Sequence, residues 1–183
     1  MKHNYEISSV SVEPILLAAA KRFLKLDDYT EDDDLVNGLI SAAREYCEKH
    51  TNRLFVKRQV VEYFDSSFVG LSSQCFTFPT REIDSVEVKQ SGIFATVANS
   101  VFDIDQIADT TQIFIGPGGS WPDIDSGRNT VKVIYQSGYD VVPASVIVAM
   151  KKLISTWYDD RYDGIKKHPS TVQNILHPFL RYT

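Results

Sequence analysis

The sequence is poor in cysteine, in long apolar runs and in clustered positive charge. Its two cysteines, Cys47 and Cys75, lack the spacing of metal ligands and lie among apolar residues, so we expect buried free thiols, with a disulfide as the alternative. Apolar runs such as ILLAAA are far shorter than the ~20 residues that span a bilayer, so we expect no membrane contact. The start, MKHNYEISS, lacks the basic and apolar stretches of a signal peptide, which predicts synthesis in the cytoplasm.

The charge balance argues against a nucleic-acid-binding protein. The net charge is −5 at pH 7 and no Lys/Arg cluster stands out, so the chain as a whole repels a phosphate backbone. With 43% hydrophobic and 23% charged residues in 183, the composition is typical of a globular protein and excludes wholesale disorder. We therefore predict a single domain over residues 1–183.

Residues 11–52 have the periodicity of helices. Ser11 is a candidate N-cap, and Pro14 fits the first turn of a first helix. The acidic stretch 27–34 follows, and Thr30 with Asp33 resembles a capping box for a second helix, whose positive N-terminal end favours acids. The predicted apolar stripes are Leu16, Ala19, Ala20, Phe23 and Leu24 on the first helix, and Leu35, Leu39, Ala42, Ala43, Tyr46 and Cys47 on the second.

Residues 54–137 change to the alternating pattern of β-strands. Short segments of period two are separated by Gly, Ser, Asn, Asp and Pro, which predicts an antiparallel sheet or a small barrel. The candidate strands are FVKRQVVEYFD, QCFTFP, SVEVKQ, VFDID, TQIFIG and NTVKVIYQ. The segment 106–130 has the densest turn chemistry, and we expect an exposed, mobile loop there.

Residues 143–180 return to helical spacing. A helix after Pro143 is predicted to bury one apolar stripe, and a short helix over about Thr171 to Phe179 follows it. The stripe consists of Val146, Met150, Leu153, Ile154, Trp157 and Tyr158. Helices therefore flank strands, which predicts the α+β class: a bundle of N- and C-terminal helices with an inserted antiparallel β region. We expect the C-terminal stretch HPSTVQNILHPFLRYT to become ordered only on a partner.

The motifs that could carry chemistry favour structural explanations. GPGGS at 116–120 resembles a phosphate loop, but WPDIDSG after it is a poor helix start, so a turn is favoured. The acidic stretch 27–34 lacks the alternating Asp spacing, the central Gly and the distal Glu of a calcium loop. The DID motifs at Asp103–Asp105 and Asp123–Asp125 could bind a metal only with further ligands, so solvated edges are favoured.

No pattern of His, Ser or Cys predicts a nucleophile or its base. No serine lies in a nucleophile-elbow context, neither cysteine has an obvious base, and the histidines are scattered, namely His3, His50, His168 and His177. WYDDRYD at 157–163 joins carboxylates to an arginine, and a charged helix end available to an interface is favoured over acid–base catalysis. We predict no catalytic residue, no metal and no cofactor.

Several motifs occur along the chain in an order that is specific when they are taken together. The N-terminal part is TEDDDLVNGLISAAREYCEKHTNRLF, the middle part is FTFPTREIDSVEVKQ with FDID and Trp121-Pro122, and the closing part is Tyr135, Gly138, Tyr139, Pro143, Trp157, Tyr158 and Arg161. This order, over about residues 11–163, resembles the head–tail connector (adaptor) family of tailed bacteriophages, in its larger form with a β insertion. Two departures are Cys47, which separates the family's Tyr–Glu pair, and Arg81-Glu82, where relatives often carry a second proline.

The resemblance implies a structural virion protein and not an enzyme. Members form a ring beneath the portal, extend the DNA channel and provide the surface on which the stopper or tail docks. For this chain it implies a homo-oligomeric ring, twelve-fold on the portal, with the portal protein and a stopper or tail-completion protein as partners. DNA would pass through without sequence-specific binding. The ring would be assembled in the host bacterial cytoplasm and would reside in the virion.

Charge at the helix ends predicts which residues contact other subunits or the channel. These residues are Asp32, Asp33, Asp34, Asp159, Asp160 and Arg161. Two other functions stay open: a tail-completion protein with a related helical core, and a small nucleotide-binding or hydrolytic protein with a site in the 106–130 loop. The last would be stabilised by its ligand, by roughly 2.7 kcal/mol at 100 times the dissociation constant.

Overall fold

A computed structural model describes residues 4–67, 78–107, 110–160 and 170–181. Within these ranges the chain forms both helices and antiparallel strands, and the predicted α+β class is confirmed. The helices are α1 (Leu17–Leu24), α2 (Asp33–Thr51), α3 (Ala144–Asp159) and α4 (Ser170–Leu176). The strands are β1 (Asn4–Ile7), β2 (Arg58–Phe64), β3 (Thr80–Gln90), β4 (Ile93–Thr96), β5 (Phe102–Ile107), β6 (Thr110–Ile115) and β7 (Val131–Ser137).

The chain divides into two compact units. The helical unit comprises Val10–Val56 and Tyr139–Thr183, and the sheet unit comprises Met1–Ser9 and Lys57–Gly138. The helical unit therefore draws on both ends of the chain, as the predicted bundle requires. The prediction of one domain over residues 1–183 stays a prediction.

The core of the helical unit contains side chains from all four helices. Its fully or almost fully buried members are Ile15, Ala20, Val36, Ile40, Ala43, Cys47, Phe55, Val146, Ala149, Met150, Leu153, Ile154, Val172 and Leu176. The stripe predicted for α3 is confirmed at its first four positions, while Trp157 and Tyr158 are half-buried at the margin. No helix in the described ranges is both long and apolar enough to cross a membrane.

The predicted start of the first helix is wrong. The helix begins at Leu17 after Leu16, and no side chain caps it. Pro14 pushes the backbone of the residue before it, Glu13, out of the helical region, so a helix that runs through this position is disfavoured. The Glu13 carboxylate instead accepts hydrogen bonds from Arg44 Nε at 3.0 Å and Ser41 Oγ at 2.9 Å, which ties this segment to α2.

The predicted capping box is also wrong, whereas the predicted stripe of α2 holds in part: Ala43 and Cys47 are buried, and Leu39 and Tyr46 are half-buried against the core. The residue before α2 is Asp32, whose side chain makes no capping hydrogen bond. Thr30 uses its backbone carbonyl, which accepts a hydrogen bond from the Asp33 amide at 3.2 Å. Leu35 and Ala42 are exposed, and the buried face is Val36, Ile40, Ala43, Arg44, Cys47, Glu48 and Thr51. Because this face includes charged residues that pair with one another, the apolar pattern alone points to a stripe rotated about the helix axis.

The C-terminal segment 170–181 is folded onto the helical unit, which corrects the expectation that it orders only on a partner. Val172 and Leu176 of α4 are fully buried in the core. Beyond α4, a 3₁₀ turn over His177–Phe179 places the Phe179 carbonyl 2.6 Å from Arg53 Nε. The amide of Arg181 then donates to the Thr51 carbonyl at the end of α2, at 3.0 Å.

The sheet unit contains an open antiparallel sheet with the strand order β1-β2-β7-β3-β4, and a separate hairpin of β5 and β6. Alternation along β2 and β7 buries one face, which includes Val60, Phe64, Val131, Val133 and Tyr135. On this face Tyr135 Oη donates to the fully buried Glu62 carboxylate at 2.9 Å, so the charge has a partner in the core.

The strand predictions hold for β2, β3, β5, β6 and β7 and miss two strands. β1 pairs with β2 in the register Asn4↔Tyr63, and β4 follows β3 through a tight turn at Ser91 and Gly92, both with positive φ. Part of the loop predicted over 106–130 is strand β6. Most of the strand predicted over QCFTFP lies outside the described residues.

Candidate interaction surface

The acidic stretch 27–34, which runs into the first turn of α2, is held to the neighbouring helices by two of its six acids. Tyr158 Oη donates to Asp32 Oδ2 at 2.5 Å, which joins the end of α3 to the start of α2. Lys21 Nζ of α1 lies 2.7 Å from Asp33 Oδ1, a close ion pair without good hydrogen-bond alignment. Asp32 and Asp33, which we predicted as contacts to other subunits or to the channel, thus have partners inside the helical unit.

The other predicted contact residues differ in exposure. Asp34 and Asp159 are exposed and Asp160 is half-buried, whereas Arg161 lies outside the described residues. Because Tyr158 adjoins Asp159 and binds Asp32, the acidic stretch and the acidic end of α3 meet on one side of the helical unit. Their contact with other subunits or a channel stays a prediction.

A buried ion network fixes the segment before α1 against α2. The Arg44 guanidinium is almost fully buried and donates to Glu13 Oε2 at 3.0 Å and to Glu48 Oε2 at 2.9 Å. Glu48 Oε1 accepts the amide of Phe55 at 2.9 Å, so the same carboxylate also holds the exit from α2. Burial alone would lower the pKa of Arg44, but the bonds to Glu13 and Glu48 outweigh it and raise the pKa.

The glycine motif GPGGS forms a closed turn and not a phosphate cradle. The amide of Gly116 donates to the Val101 carbonyl, and the amide of Gly119 donates to the Gly116 carbonyl, both at 2.9 Å. Two of the amides that would have to point at a phosphate are therefore used internally, and no helix follows over 121–130. This geometry favours the turn predicted from sequence.

Close packing makes glycine necessary at one position of this turn. A Cβ at Gly119 would lie 2.5 Å from the Val101 carbonyl oxygen. We expect Gly119→Ala to destabilise the sheet unit by about 1–3 kcal/mol, because the backbone must shift to relieve the clash. Urea unfolding followed by tryptophan fluorescence measures it, since Trp121 stacks on Phe102 at 6.1 Å beside the turn.

Gly116→Ala is the matched control, because a Cβ there would meet only the flexible Asp103 carboxylate at 3.4 Å. Equal losses from the two substitutions would contradict the assignment of the Gly119 contact.

The second DID motif has a structural role. The Asp125 carboxylate accepts the amides of Ser91 at 2.9 Å and Gly92 at 2.8 Å, which closes the turn between β3 and β4. Asp103 and Asp105 are exposed on β5, as the prediction of a solvated edge has it. Across the described ranges, no group of three or more His, Cys, Asp or Glu side chains could hold a metal ion.

Two of the remaining candidates for chemistry, Cys47 and His50, are packed against neighbouring side chains. Cys47 is a buried free thiol, as predicted, and burial raises its pKa to about 12, so it is a poor nucleophile. His50 stacks on Tyr46 with ring centroids 5.8 Å apart, and His177 is exposed in the 3₁₀ turn. Cys75, His3 and His168 lie outside the described residues.

One apolar surface of the helical unit is exposed where the sequence predicted core. Leu16 is 66% exposed and Phe23 is 47% exposed, although both belong to the stripe predicted to face the bundle. Val148 of α3 is 46% exposed, and Lys151, one turn further along, places its Nζ 5.9 Å from the Phe23 ring centroid. Apolar periodicity identified Leu16 and Phe23, though not Val148, but it could not distinguish a face buried by the chain itself from one left open.

Comparison with known proteins gives matches of fold alone. No family model and no curated protein matches the sequence. Among solved structures, a chain in the neck of an empty gene transfer agent (GTA) particle, computed with C6 symmetry, superposes with a TM-score of 0.76 at 18% identity, over 97% of this chain and 96% of that chain.

Two further GTA structures give similar matches. A chain in the virion of a native GTA particle has a TM-score of 0.77 at 18% identity, over 97% of this chain and 96% of that chain. A chain in the neck of a native GTA particle, computed with C12 symmetry, has a TM-score of 0.71 at 17% identity, over 100% of this chain and 97% of that chain. The protein thus shares its α+β fold, over nearly its whole length, with chains of phage-like particles.

Proposed function

We propose that this chain is a structural protein in the neck of a phage-like particle, and that it is not an enzyme. The observation that carries the proposal is the match, over 97% of this chain and 96% of the other, to a chain in a GTA particle neck. A shared fold does not fix a function by itself. The ordered motifs over about residues 11–163 support the same conclusion independently.

The proposal extends to a specific place in the particle. The chain is a head–tail connector that assembles as a ring under the portal, extends the DNA channel and docks the stopper or tail. The C6 and C12 symmetries used for the similar neck structures support a ring of copies, with twelve on the portal. Assembly takes place in the host bacterial cytoplasm, and the finished ring belongs to the virion.

The charge of the chain suits a conduit for DNA. A net charge of −5 repels the phosphate backbone, so DNA passes without being held. Asp34 and Asp159, which are exposed, are the acids that we place at a subunit contact or the channel, with Asp160 and Arg161 beside them in sequence. Asp32 and Asp33 position the acidic stretch against the other helices, through their contacts with Tyr158 and Lys21 respectively.

The direct test is binding to the portal protein encoded in the same genome. The purified chain is mixed with purified portal, the mixture is sedimented, and the pellet is imaged in negative stain. We expect stoichiometric binding and an added ring of density at one end of the portal. An intact portal that leaves this chain in the supernatant would overturn the connector assignment, and binding to an isolated tail instead would move the chain to a tail-completion role.

A further inference from the structure

Some of the exposed apolar side chains of the helical unit lie together on one surface. Leu16, Ala19 and Phe23 are spaced at i, i+3 and i+7, so they share a side of α1. The Lys151 contact with Phe23 brings α3 alongside, and Val148 lies one turn from Lys151. We call Leu16, Ala19, Phe23 and Val148 the α1–α3 face. Apolar side chains gathered on one side of a structure, rather than scattered singly, mark an interaction surface.

Positive charge borders the α1–α3 face. Lys151 lies over the Phe23 ring, and Lys152 is one turn beyond Val148. The partner that fits has an apolar centre and a negative border.

The acidic side of the same unit has that composition. Asp27, Asp28, Glu31 and Asp34 are exposed there. Between them Tyr29 is 42% exposed, and Leu35 in the first turn of α2 is 38% exposed. We call residues 27–35 the acidic side.

The two surfaces lie on different sides of α1. Lys21 contacts Asp33 of the acidic side, whereas Phe23 belongs to the α1–α3 face. Positions two residues apart on a helix are separated by about 200° around its axis. A chain with two complementary surfaces that face apart associates head to tail, and such contacts close into a ring when the rotation from one copy to the next divides a full turn.

We infer that the α1–α3 face of one copy of this chain binds the acidic side of the next copy. Phe23 and Leu16 meet Tyr29 and Leu35, while Lys151 and Lys152 face the exposed acids. This inference rests on the proposed function, because it names the contact by which the ring closes. Attraction between the opposite charges also sets the direction of assembly, because two α1–α3 faces repel each other and two acidic sides repel each other.

Cross-linking without a spacer tests the contact directly. Labelled and unlabelled copies are mixed, assembled with the portal, and treated with a carbodiimide, which joins a carboxylate to an amine. We expect isotopically mixed links between Lys151 or Lys152 of one copy and Asp27, Asp28 or Glu31 of another. A ring that forms without such links, or with links from these lysines to the portal, overturns the inference and leaves the proposed function standing. If no ring forms at all, both fail.

Complementary variants test the head-to-tail direction. Phe23→Glu disables the α1–α3 face, and the triple change Asp27→Lys, Asp28→Lys and Glu31→Lys disables the acidic side. We expect each variant alone to lose ring formation, and a mixture to give pairs of two 20.7 kDa chains by native mass spectrometry, because each pair retains one intact contact. Rings from either variant alone, or no pairs from the mixture, would contradict the inference.

Val141→Glu is the control, because Val141 is 83% exposed in the same unit and belongs to neither surface. It is expected to form rings as the native chain does. Leu16→Glu replaces Phe23→Glu if the latter has a lowered melting temperature, so that loss of the ring is never confused with loss of the fold.

Discussion

A chain carrying Arg44→Met is expected to lose about 3–5 kcal/mol of unfolding free energy in its helical unit. The substitution keeps most of the apolar stem and removes the cation. Glu13 and Glu48 then lose the partner that lies 3.0 Å and 2.9 Å from them, respectively. Glu48 is itself buried, and a buried carboxylate without its counter-charge costs more than the pair contributes. Urea unfolding followed by helical circular dichroism measures the loss.

The control is Glu45→Gln, which removes a carboxylate 3.4 Å from the same guanidinium. Because the Glu45 side chain is 70% exposed, we expect a change of about 0–1 kcal/mol. Similar losses of unfolding free energy from the two substitutions would mean that burial of the ion network does not contribute to stability.

The loss from Arg44→Met is also expected to be independent of pH between about pH 7 and about pH 10. A cation whose pKa is raised on folding stabilises the fold fully below its unfolded pKa, and the contribution is lost only as the pH rises through the folded pKa. Both values of Arg44 lie above this window because its ordinary pKa is already high and the folded value is raised further. A loss that shrinks steadily over the window would contradict the assignment of Arg44 as the stabilising cation.

Leu176→Ala is expected to destabilise the helical unit by about 2–5 kcal/mol. Leu176 is fully buried in the core shared by all four helices, so its truncation leaves a cavity rather than a solvated gap. It also loosens the hold on the next residues, where Phe179 packs against Phe55 with centroids 5.8 Å apart. Chemical unfolding gives the free energy, and amide exchange at residues 170–181 reports whether the segment detaches.

Gln173→Ala on the same helix is the matched control, because Gln173 is exposed and its change is expected to stay within about 0.5 kcal/mol. Equal stability of the Leu176→Ala chain and the native chain would restore the expectation that this segment folds only on a partner.

Sequence reasoning succeeded where burial and polarity agree. The core positions of α3, such as Val146 and Leu153, are all apolar, so period alone identifies the buried face. On α2 it missed two buried positions, because Arg44 and Glu48 are buried as a pair and counting apolar residues cannot find them. β1 was missed because four residues carry little pattern and their partner in the sheet is β2, more than fifty residues later.

The surfaces were less predictable than the fold. The bond between Tyr158 and Asp32 joins residues 126 positions apart, so only the folded chain shows which acids are engaged and which are exposed. Leu16 and Phe23 were recognised as apolar and periodic, and were therefore assigned to the core. A single sequence does not record whether an apolar side is covered by its own chain or by another copy.

The helical unit is formed by two separate parts of the chain, and this affects how it can fold while the chain is being synthesised. The first part of that unit ends at Val56 and the second begins at Tyr139, so the ribosome must add Lys57–Gly138, which is most of the sheet unit, between them. At typical bacterial and eukaryotic synthesis rates this takes roughly 4–17 s. During that interval Val36, Ile40 and Cys47 have no α3 or α4 to cover them. The newly made N-terminal helices therefore expose an apolar side until α3 and α4 are made, and such transient surfaces are the kind that chaperones cover.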